Sequence, residues 1–511
     1  MSENNFLNNK DIIIMGGGTA GWVSALYFLN KSKDLNLNTK IKLISSNEIE
    51  PIGVGEGTLP SFVDFIEKIC KIDKKEFLKE TKGSFKYGVK FDNWNFDNQY
   101  CYNLVIGGTS YDTTNYQDQK LSWDFIQYII NNDINIPQKS LLKIIIGESY
   151  DIIENNKIAL SILPTYAYHF SASLLIPFLK KKCLEFENFE HIGGTIKNIS
   201  YDETGFINNL KINNNQEISG DFFVNCLGFK SNTLLSNEYF DIENWDNYIL
   251  NNSAFAIQVK NSPNETIETY TTAKAQEYGW CWKIPQYEKT GYGYVYSDNF
   301  INNEDKLYND LLKTYNVKEK DIFKTKVVKS KPFFNKKQLH KNCLSLGLAS
   351  GFVEPLEATS IHMTLTGLIT FFGMVENEIE INSKYINIFN EKLEKVWKNV
   401  FKFIIHHYFT NNPINDYWKH YKNIQNSNVF NFYEKYTDNN VSPFNSHTYF
   451  LVSLGKRMKD YYYGFPHEKY LKDNLKNFLR IDKTIDINGL CSHNEALNEI
   501  NQNNTKSFNY N

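Results

Sequence analysis

The sequence predicts an α/β fold, and three observations support this prediction. Residues 11–15 form a short apolar run that ends in three glycines, which is typical of a buried parallel strand. After the glycines, apolar residues recur at helical spacing from Trp22 to Leu29. A second apolar run, residues 41–44, completes a strand, a glycine-rich turn, a helix and a strand. This order is one βαβ unit, the building block of a Rossmann-like nucleotide-binding fold.

Composition excludes several classes of protein. The chain has 511 residues, with 55 Lys and Arg against 58 Asp and Glu, and this balance removes the basic surface expected of a nucleic-acid binder. We find no apolar stretch of about 18 residues, so no membrane span is expected. The seven cysteines are scattered without a C-x-x-C pair, and residues 1–10 are polar. We therefore expect a cytoplasmic protein without a zinc or other metal site.

The glycine-rich turn has the G-x-G-x-x-G pattern, between a strand and a helix. Gly16 allows the tight turn, Gly18 lets the backbone approach a pyrophosphate, and Gly21 allows close contact between helix and strand. The helix then begins at Thr19 and Ala20, where backbone N–H groups and the positive end of the helix favour an anion. The pattern predicts that a dinucleotide binds here.

One feature of such sites is missing. The second strand usually ends in an acid that holds the ribose hydroxyls, but here it ends at Ser45, and Glu48 is the first acid. Ser45 could hydrogen-bond a ribose, although more weakly. The sequence therefore predicts a cofactor that is gripped elsewhere and that exchanges.

Several further motifs resemble the flavin-dependent halogenases, that is, the tryptophan halogenase family. The resemblance extends from about residue 11 to 465. Besides the glycine turn, it rests on four blocks: Ile52-Gly53-Val54-Gly55-Glu56-Gly57-Thr58-Leu59-Pro60, Gly83-Ser84-Phe85-Lys86-Tyr87-Gly88, Trp280-Cys281-Trp282-Lys283-Ile284-Pro285, and Gly351-Phe352-Val353-Glu354-Pro355-Leu356-Glu357-Ala358-Thr359.

The resemblance implies a Rossmann-like FAD-binding fold, a mixed β-sheet substrate region and a helical C-terminal part. We expect the parts in this order: 1–100 FAD-binding, 101–170 sheet and substrate insertion, 171–240 FAD-binding, 241–335 sheet and substrate region, 336–385 FAD-binding and halide site, 386–490 helical substrate cover, and 491–511 polar tail.

The resemblance also implies the chemistry. FADH2 would come from a separate flavin reductase, a transient partner, and chloride, bromide or iodide would be the co-substrate. Oxygen would add at the flavin C4a to give a hydroperoxide, and the resulting hypohalous acid would pass to Lys86. The acceptor would be an electron-rich aromatic molecule of indole or phenol type. Family motifs further assign cofactor contacts to the strap residues Gly53, Val54, Gly55 and Glu56, and to Leu348.

Lys86 and Glu357 are the candidate catalytic residues. An ammonium donates strong hydrogen bonds, and a partly desolvated amine is a nucleophile, so Lys86 could bind or capture an electrophilic halogen. Lys82 and Lys90 are expected to face solvent. Glu357 could stabilise the cationic ring intermediate and take its proton. Glu354 is the competing carboxylate, and because it precedes Pro355 we expect it to hold local structure.

Thr359 and Ser360 correspond to positions whose backbone N–H groups bind halide. The sequence departs from the family here, because Ala358 replaces the usual Ser and Ser360 the usual Gly. If that glycine requires a positive φ, Ser360 is expected to be strained.

Trp280 and Trp282 resemble the tryptophans that keep substrate away from the flavin, and alternation on a strand places both on one face. A core aromatic pair is the alternative.

The aromatic and acidic run Phe432, Tyr433, Glu434 is the candidate substrate segment. The alternative is that the helix expected here merely packs on the core. His169 is expected to lie on the flavin side or behind the site. A flavin-dependent hydroxylase and an inactive flavin-binding protein remain as alternative functions.

Overall fold

A computed structural model describes residues 5–46, 55–96, 101–105, 149–213, 215–376, 380–427, 444, 446–456 and 487–502. The strands, in chain order, are β1 (Asp11–Met15), β2 (Lys40–Ser45), β3 (Glu56–Gly57), β4 (Ser84–Lys86), β5 (Gly88–Asp92), β6 (Cys101–Val105), β7 (Lys157–Ile158), β8 (Ala167–Phe170), β9 (Phe189–Gly193), β10 (Ile196–Tyr201), β11 (Ile207–Ile212), β12 (Glu217–Ser219), β13 (Phe222–Asn225), β14 (Ile242–Asn244), β15 (Ser253–Lys260), β16 (Tyr270–Gln276), β17 (Gly279–Pro285), β18 (Lys289–Tyr296), β19 (Ile322–Lys329), β20 (Phe333–Asn335), β21 (Leu339–His340), β22 (Cys343–Ser345), β23 (Gly351–Phe352) and β24 (Cys491–Ser492).

The α-helices are α1 (Thr19–Asp34), α2 (Pro60–Val63), α3 (Lys74–Thr81), α4 (Ser149–Glu154), α5 (Ala172–Cys183), α6 (Ser231–Leu234), α7 (Glu304–Tyr315), α8 (Thr359–Val375), α9 (Ser383–Tyr408), α10 (Asp416–Asn426), α11 (Ser446–Gly455) and α12 (His493–Gln502). A π-helix, Asp64–Ile69, continues α2. Within the described residues, no helix is long and apolar enough to cross a membrane.

The chain divides into two compact units. Unit 1 consists of residues 1–81, 170–249 and 329–401, and unit 2 consists of residues 82–169, 250–328 and 402–511. Both units are therefore assembled from separated stretches of sequence. The first border falls at Thr81 rather than near residue 100, because β5 pairs with β16 of the large sheet in unit 2.

Unit 1 contains the βαβ unit with the glycine-rich turn. Its main sheet has the strand order β21-β22-β13-β1-β2-β9, and β1 pairs in parallel with both β2 and β13. The strands expected from the apolar runs 11–15 and 41–44 are present as β1 and β2, and β13 and β22 continue the sheet on the other side of β1. Helices α1 and α8 contribute the aromatic contacts Phe28–Phe372, 4.9 Å between ring centroids, and Phe28–Phe371 at 6.1 Å.

Unit 2 contains a mixed sheet with the order β19-β15-β18-β17-β16-β5-β6. Strands β15 and β17 each pair antiparallel with β18, and β16 pairs antiparallel with β17, whereas β5 pairs in parallel with β16. Alternation on β18 places Tyr292, Tyr294 and Tyr296 on the face that packs against Leu307 and Leu311 of α7. The opposite face carries the tryptophans of β17.

The C-terminal residues differ from the loose polar tail that the sequence predicts from about residue 491. Strand β24 pairs with β7, and helix α12 follows it up to Gln502. Ala496, Leu497 and Ile500 are buried at helical spacing, so α12 packs through an apolar stripe despite its many polar residues.

Candidate active site

The glycine turn in unit 1 has the backbone geometry of a dinucleotide cradle. Gly16 has φ +114°, and a Cβ at this position would lie 2.4 Å from the carbonyl oxygen of Cys226, so only glycine fits. A Cβ added at Gly21 would lie 1.9 Å from the carbonyl oxygen of Gly16, which shows how closely α1 approaches the turn. Beside Gly18 there is open space within 4 Å. The turn therefore leaves room for a ligand where the motif expects a pyrophosphate.

The N-terminus of α1 favours an anion. Gly18 is the N-cap and supplies no side-chain bond, and the first turn contains no acidic residue. The backbone N–H of Trp22 donates to Gly18 O over 3.2 Å, so the N–H groups of the three preceding residues, Thr19, Ala20 and Gly21, lack intrahelical acceptors. These groups, together with the positive end of the helix, fit the phosphates of FAD.

Ser45 lies directly beneath the turn. A Cβ at Gly17 would lie 2.2 Å from the Cβ of Ser45, and the Ser45 hydroxyl is 2.8 Å from Nε2 of His191. Burial, followed by the charge of Lys180, lowers the pKa of His191, which favours the neutral ring as a partner of the hydroxyl. Ser45 is thus placed at the expected strand end, and its contact with a ribose stays a prediction.

The strap and the loop of Leu348 are the other two segments that are expected to contact the cofactor. Gly53 and Val54 lie outside the described residues. Gly55 directly precedes β3, and burial raises the pKa of Glu56 to about 7. Leu348 lies in the 3-10 turn Gly347–Ala349, which meets the first turn of α1: a Cβ at Gly347 would lie 2.5 Å from that of Ala20. Leu348 is therefore held beside the cradle.

The halide segment shows where the backbone is strained. A 3-10 turn, Pro355–Glu357, precedes Ala358, whose φ of 54° and ψ of 38° are left-handed, and α8 begins at Thr359. Ser360 lies within this helix and does not have a positive φ, so the strain expected at Ser360 is located at Ala358 instead. The reason is that a left-handed residue is needed to turn the chain from one helix into the next.

The N-terminus of α8 presents the backbone N–H groups of Thr359 and Ser360, with no acidic residue in the first turn. Such an end can bind a small anion. The two candidate carboxylates precede it: Glu354 caps the 3-10 turn, and both Glu354 and Glu357 are buried, with 3% and 2% of their surfaces exposed. The degree of burial therefore does not distinguish Glu354 from Glu357 as the catalytic carboxylate, and the preference for Glu357 stays a prediction from the family motif.

Lys86 lies in unit 2, on β4, and only 1% of its surface is exposed. Strand β4 pairs antiparallel with β8, with Lys86 opposite Ala167. The neighbouring lysines differ: Nζ of Lys82 is 3.4 Å from Glu288, Nζ of Lys90 is 3.5 Å from Glu154, and both side chains are partly exposed. A buried lysine is costly to a fold, so Lys86 stands out from its neighbours in the way that a functional amine would.

Trp280 and Trp282 also lie in unit 2, buried on one face of β17, with 6.0 Å between their ring centroids. Their indole N–H groups have no hydrogen-bond partner among the described residues. The Trp282 ring covers Gly293 on β18, where a Cβ would lie 2.1 Å from two ring carbons. The expected shared face is confirmed, and the glycine opposite allows the ring to lie flat on the sheet.

The candidate substrate residues Phe432, Tyr433 and Glu434 lie outside the described residues. In the part of the chain that the structure describes, no group of three His, Cys, Asp or Glu side chains is arranged to hold a metal ion.

Two buried histidines lie near Lys86: His169, which was expected on the flavin side or behind the site, and His493, which sequence reasoning did not assign. His169 is fully buried on β8, with Nε2 2.8 Å from Thr271 Oγ1 and Nδ1 3.4 Å from Ser84 Oγ. Burial, then the charges of Lys86 and His493, hold its pKa well below the usual range. His493, at the start of α12, accepts a hydrogen bond from the backbone N–H of Phe85 over 3.1 Å. The helical spacing of the apolar residues in α12 was the sequence signal that could have indicated that His493 belongs to a packed helix.

Comparison with known proteins identifies the family. A sequence profile described as tryptophan halogenase matches residues 11–462. The chain is 28% identical over 439 residues to tryptophan 6-halogenase ThaL of Streptomyces albogriseolus, which covers 81% of this chain and 79% of that protein. It is 27% identical over 432 residues to tryptophan 7-halogenase RebH of Lentzea aerocolonigenes, with 81% and 79% covered.

A solved structure shows the same fold at high coverage. Xcc4156, a flavin-dependent halogenase from Xanthomonas campestris, has a TM-score of 0.79 and 25% sequence identity, over 96% of this chain and 98% of that chain. The profile match covers most of the present sequence and includes the glycine turn, the Lys86 strand, the two tryptophans and the Glu357 segment. The chain therefore belongs to the tryptophan halogenase family and is a flavin-dependent halogenase.

Proposed function

We propose that this enzyme halogenates an electron-rich aromatic carbon of indole or phenol type, with FADH2 from a separate flavin reductase, O2 and a halide. Relatives named above are tryptophan halogenases, and the acceptor here belongs to the same aromatic class without necessarily being free tryptophan. When bound, reduced flavin together with O2 provides the oxidant that removes two electrons from the halide. The proposal follows chiefly from the burial of Lys86, since the nearest lysines in the sequence, Lys82 and Lys90, are partly exposed.

The residues of unit 1 would hold the cofactor and the halide. The N–H groups of Thr19, Ala20 and Gly21 face the phosphates, Ser45 reaches the ribose, and Leu348 borders the cradle. The N–H groups of Thr359 and Ser360 hold the halide, because a helix N-terminus whose first turn has no acidic residue attracts a monovalent anion. All these roles use backbone groups or small side chains, so they tolerate the departures at Ala358 and Ser360.

Lys86 in unit 2 would hold the oxidised halogen. Its ammonium can donate a hydrogen bond to the oxygen of hypohalous acid, or its amine can displace that oxygen and carry the halogen. The buried setting excludes bulk solvent and so limits the escape of the oxidant from the site. Transfer to the ring breaks the bond of the halogen to oxygen or to the Lys86 nitrogen and one C–H bond, and it forms one carbon–halogen bond. The oxygen departs as water, or the free amine of Lys86 is restored, and the carboxylate of Glu357 takes the proton released by the ring.

Trp280 and Trp282 would act as a wall that keeps the aromatic acceptor away from the flavin. Direct contact with the flavin would favour insertion of oxygen, so the wall directs the reaction toward halogenation. Both rings are buried on one strand face, and Trp282 packs directly against Gly293.

The experiment is a product analysis by mass spectrometry. The enzyme is incubated with FAD, a flavin reductase, NADH and O2, with chloride, bromide or iodide, and with a panel of indoles and phenols. We expect a halogen mass shift that requires the halide. Addition of oxygen that does not depend on halide would show a hydroxylase, and no product over the panel would contradict the proposed class of acceptor.

Two lysine variants of matched chemistry complete the test. Lys86→Ala is expected to lose halogenated product, whereas Lys90→Ala, which removes a partly exposed lysine of the next strand, is expected to retain it. Equal activity of the two variants would contradict the role of Lys86. NADH without the reductase is expected to give no product, because the sequence has no second nucleotide motif.

A further inference from the structure

The strand that carries Lys86 is held by hydrogen bonds outside its own ladder. On one side β4 pairs with β8, and Phe85 lies opposite Tyr168. On its other side, the backbone N–H of Phe85 donates to Nε2 of His493 over 3.1 Å, and the N–H of Tyr87 donates to Thr269 O over 2.6 Å. The residues before and after Lys86 are therefore both anchored through their amide groups, and one of the anchors is a side chain from the C-terminal helix.

The tautomer of His493 is determined by its two partners. Nδ1 lies 2.9 Å from Ile267 O, and a carbonyl oxygen only accepts, so Nδ1 carries the proton. Nε2 is then the lone-pair acceptor that the Phe85 N–H requires. The ring is fully buried, and burial lowers the pKa of His493 to about 4, so the neutral ring persists near neutral pH.

The segment around His493 is rigid for independent reasons. The backbone N–H of His493 donates to Asn156 O over 2.8 Å. Asn494 Oδ1 accepts from the N–H of Ile267 over 3.0 Å, and its Nδ2 donates to Glu265 O over 2.7 Å. Because β24 also pairs with β7, the imidazole approaches Phe85 from a fixed direction.

We propose that His493 is a positioning residue that fixes the Lys86 strand by accepting the backbone N–H of Phe85, an inference that rests on the proposed role of Lys86. His493 lies beyond residue 462, where the family match ends. It does not act on substrate or cofactor. Its effect is on the position of the Lys86 amine, for which an error of about 1 Å reduces the rate by about a hundredfold.

Two amide substitutions remove the two hydrogen bonds of the His493 ring one at a time. His493→Gln places an amide oxygen near the former Nε2 and keeps an acceptor for Phe85, but it loses the bond to Ile267 O. His493→Asn places its amide near the former Nδ1 and keeps the bond to Ile267 O, but it loses the acceptor for Phe85. Each variant thus loses one buried hydrogen bond, so a purely structural role predicts equal losses of stability and activity in both.

The test measures kcat and KM for halogenation of an accepted aromatic substrate, the Kd for FAD and the thermal midpoint, all with the full chain. We expect kcat of the Gln variant to stay within about threefold of wild type and kcat of the Asn variant to fall by about tenfold or more, with KM and FAD affinity unchanged. Equal kcat values in the two variants, or a larger loss in the Gln variant, would overturn the inference.

Two further comparisons keep the test decisive. If the Asn variant does not fold, the Gln variant decides alone, and a fall in its kcat of about tenfold overturns the inference. Lys86→Ala is measured in parallel: if it retains product formation, the proposed role of Lys86 fails, whatever the histidine variants do. If it loses product formation while His493→Asn behaves as wild type, only the role of His493 fails.

Discussion

The left-handed residue before the halide helix gives a stability prediction with a definite sign. Ala358 has φ 54° and ψ 38°, and this conformation costs an L-residue about 1–2 kcal/mol. Ala358→Gly removes that cost but raises the entropy of the unfolded chain, which costs about 0.4–1 kcal/mol. The net prediction is that the substitution raises the free energy of unfolding by about 0.5–1 kcal/mol.

Ser360→Gly is the matched control for this prediction. Ser360 is helical, and glycine is a poorer helix former than serine. A glycine placed at this position therefore lowers the free energy of unfolding by about 0.5 kcal/mol. The two changes add a glycine to the same segment and differ in the backbone conformation they replace. If the strain were at Ser360, the signs would be reversed.

The assay is thermal unfolding of the FAD-free variants, followed by circular dichroism. A gain of this size corresponds to a rise in the midpoint of about 1–3 °C for Ala358→Gly, and Ser360→Gly should give a smaller decrease. A lower midpoint for Ala358→Gly, or a higher one for Ser360→Gly, would refute the assignment of the strain to Ala358.

Three further predictions concern the remaining parts of the site. Gly293→Ala should lower the free energy of unfolding by about 1–3 kcal/mol, because the new Cβ would lie 2.1 Å from the Trp282 ring; Trp282→Phe in the same chain should recover part of the loss in a thermal unfolding cycle. Ser45→Ala should weaken FAD binding by about 3- to 10-fold in a fluorescence titration, since one hydrogen bond is lost, and an unchanged Kd would exclude the ribose contact. Burial raises the pKa of Glu56 above its unfolded value of 4.5 to about 7, so the folded state binds the extra proton and loses stability as pH rises through this window. The free energy of unfolding of Glu56→Gln relative to wild type should therefore increase from pH 5 to 8 in urea titrations of FAD-free protein, and a constant difference would contradict the raised pKa.

Local patterns in the sequence predicted those parts of the site whose geometry is local. The glycine turn was predictable because the spacing of Gly16, Gly18 and Gly21 already defines a tight turn at the start of a helix. The shared face of Trp280 and Trp282 follows from the two-residue period of a strand. For both features the relevant interactions lie within a few residues.

Features that depend on distant contacts were not predictable in the same way. The contact between His493 and Phe85 joins residues 408 positions apart, and no local pattern indicates it. The polar composition after residue 491 suggested a tail, although three apolar residues at helical spacing are enough to pack α12. The position of the strain at Ala358 depends on how the 3-10 turn meets α8, which the motif alone does not determine.

The central claim, that the oxidised halogen reaches the ring through Lys86, is tested most directly by separating halide oxidation from ring halogenation. Lys86→Met is supplied with reduced FAD, O2 and bromide, and brominated aromatic product is measured alongside bromination of a small scavenger dissolved in the buffer. We predict that the variant continues to brominate the scavenger but loses aromatic product by at least about a hundredfold. Aromatic bromination at the wild-type rate in Lys86→Met would contradict the claim.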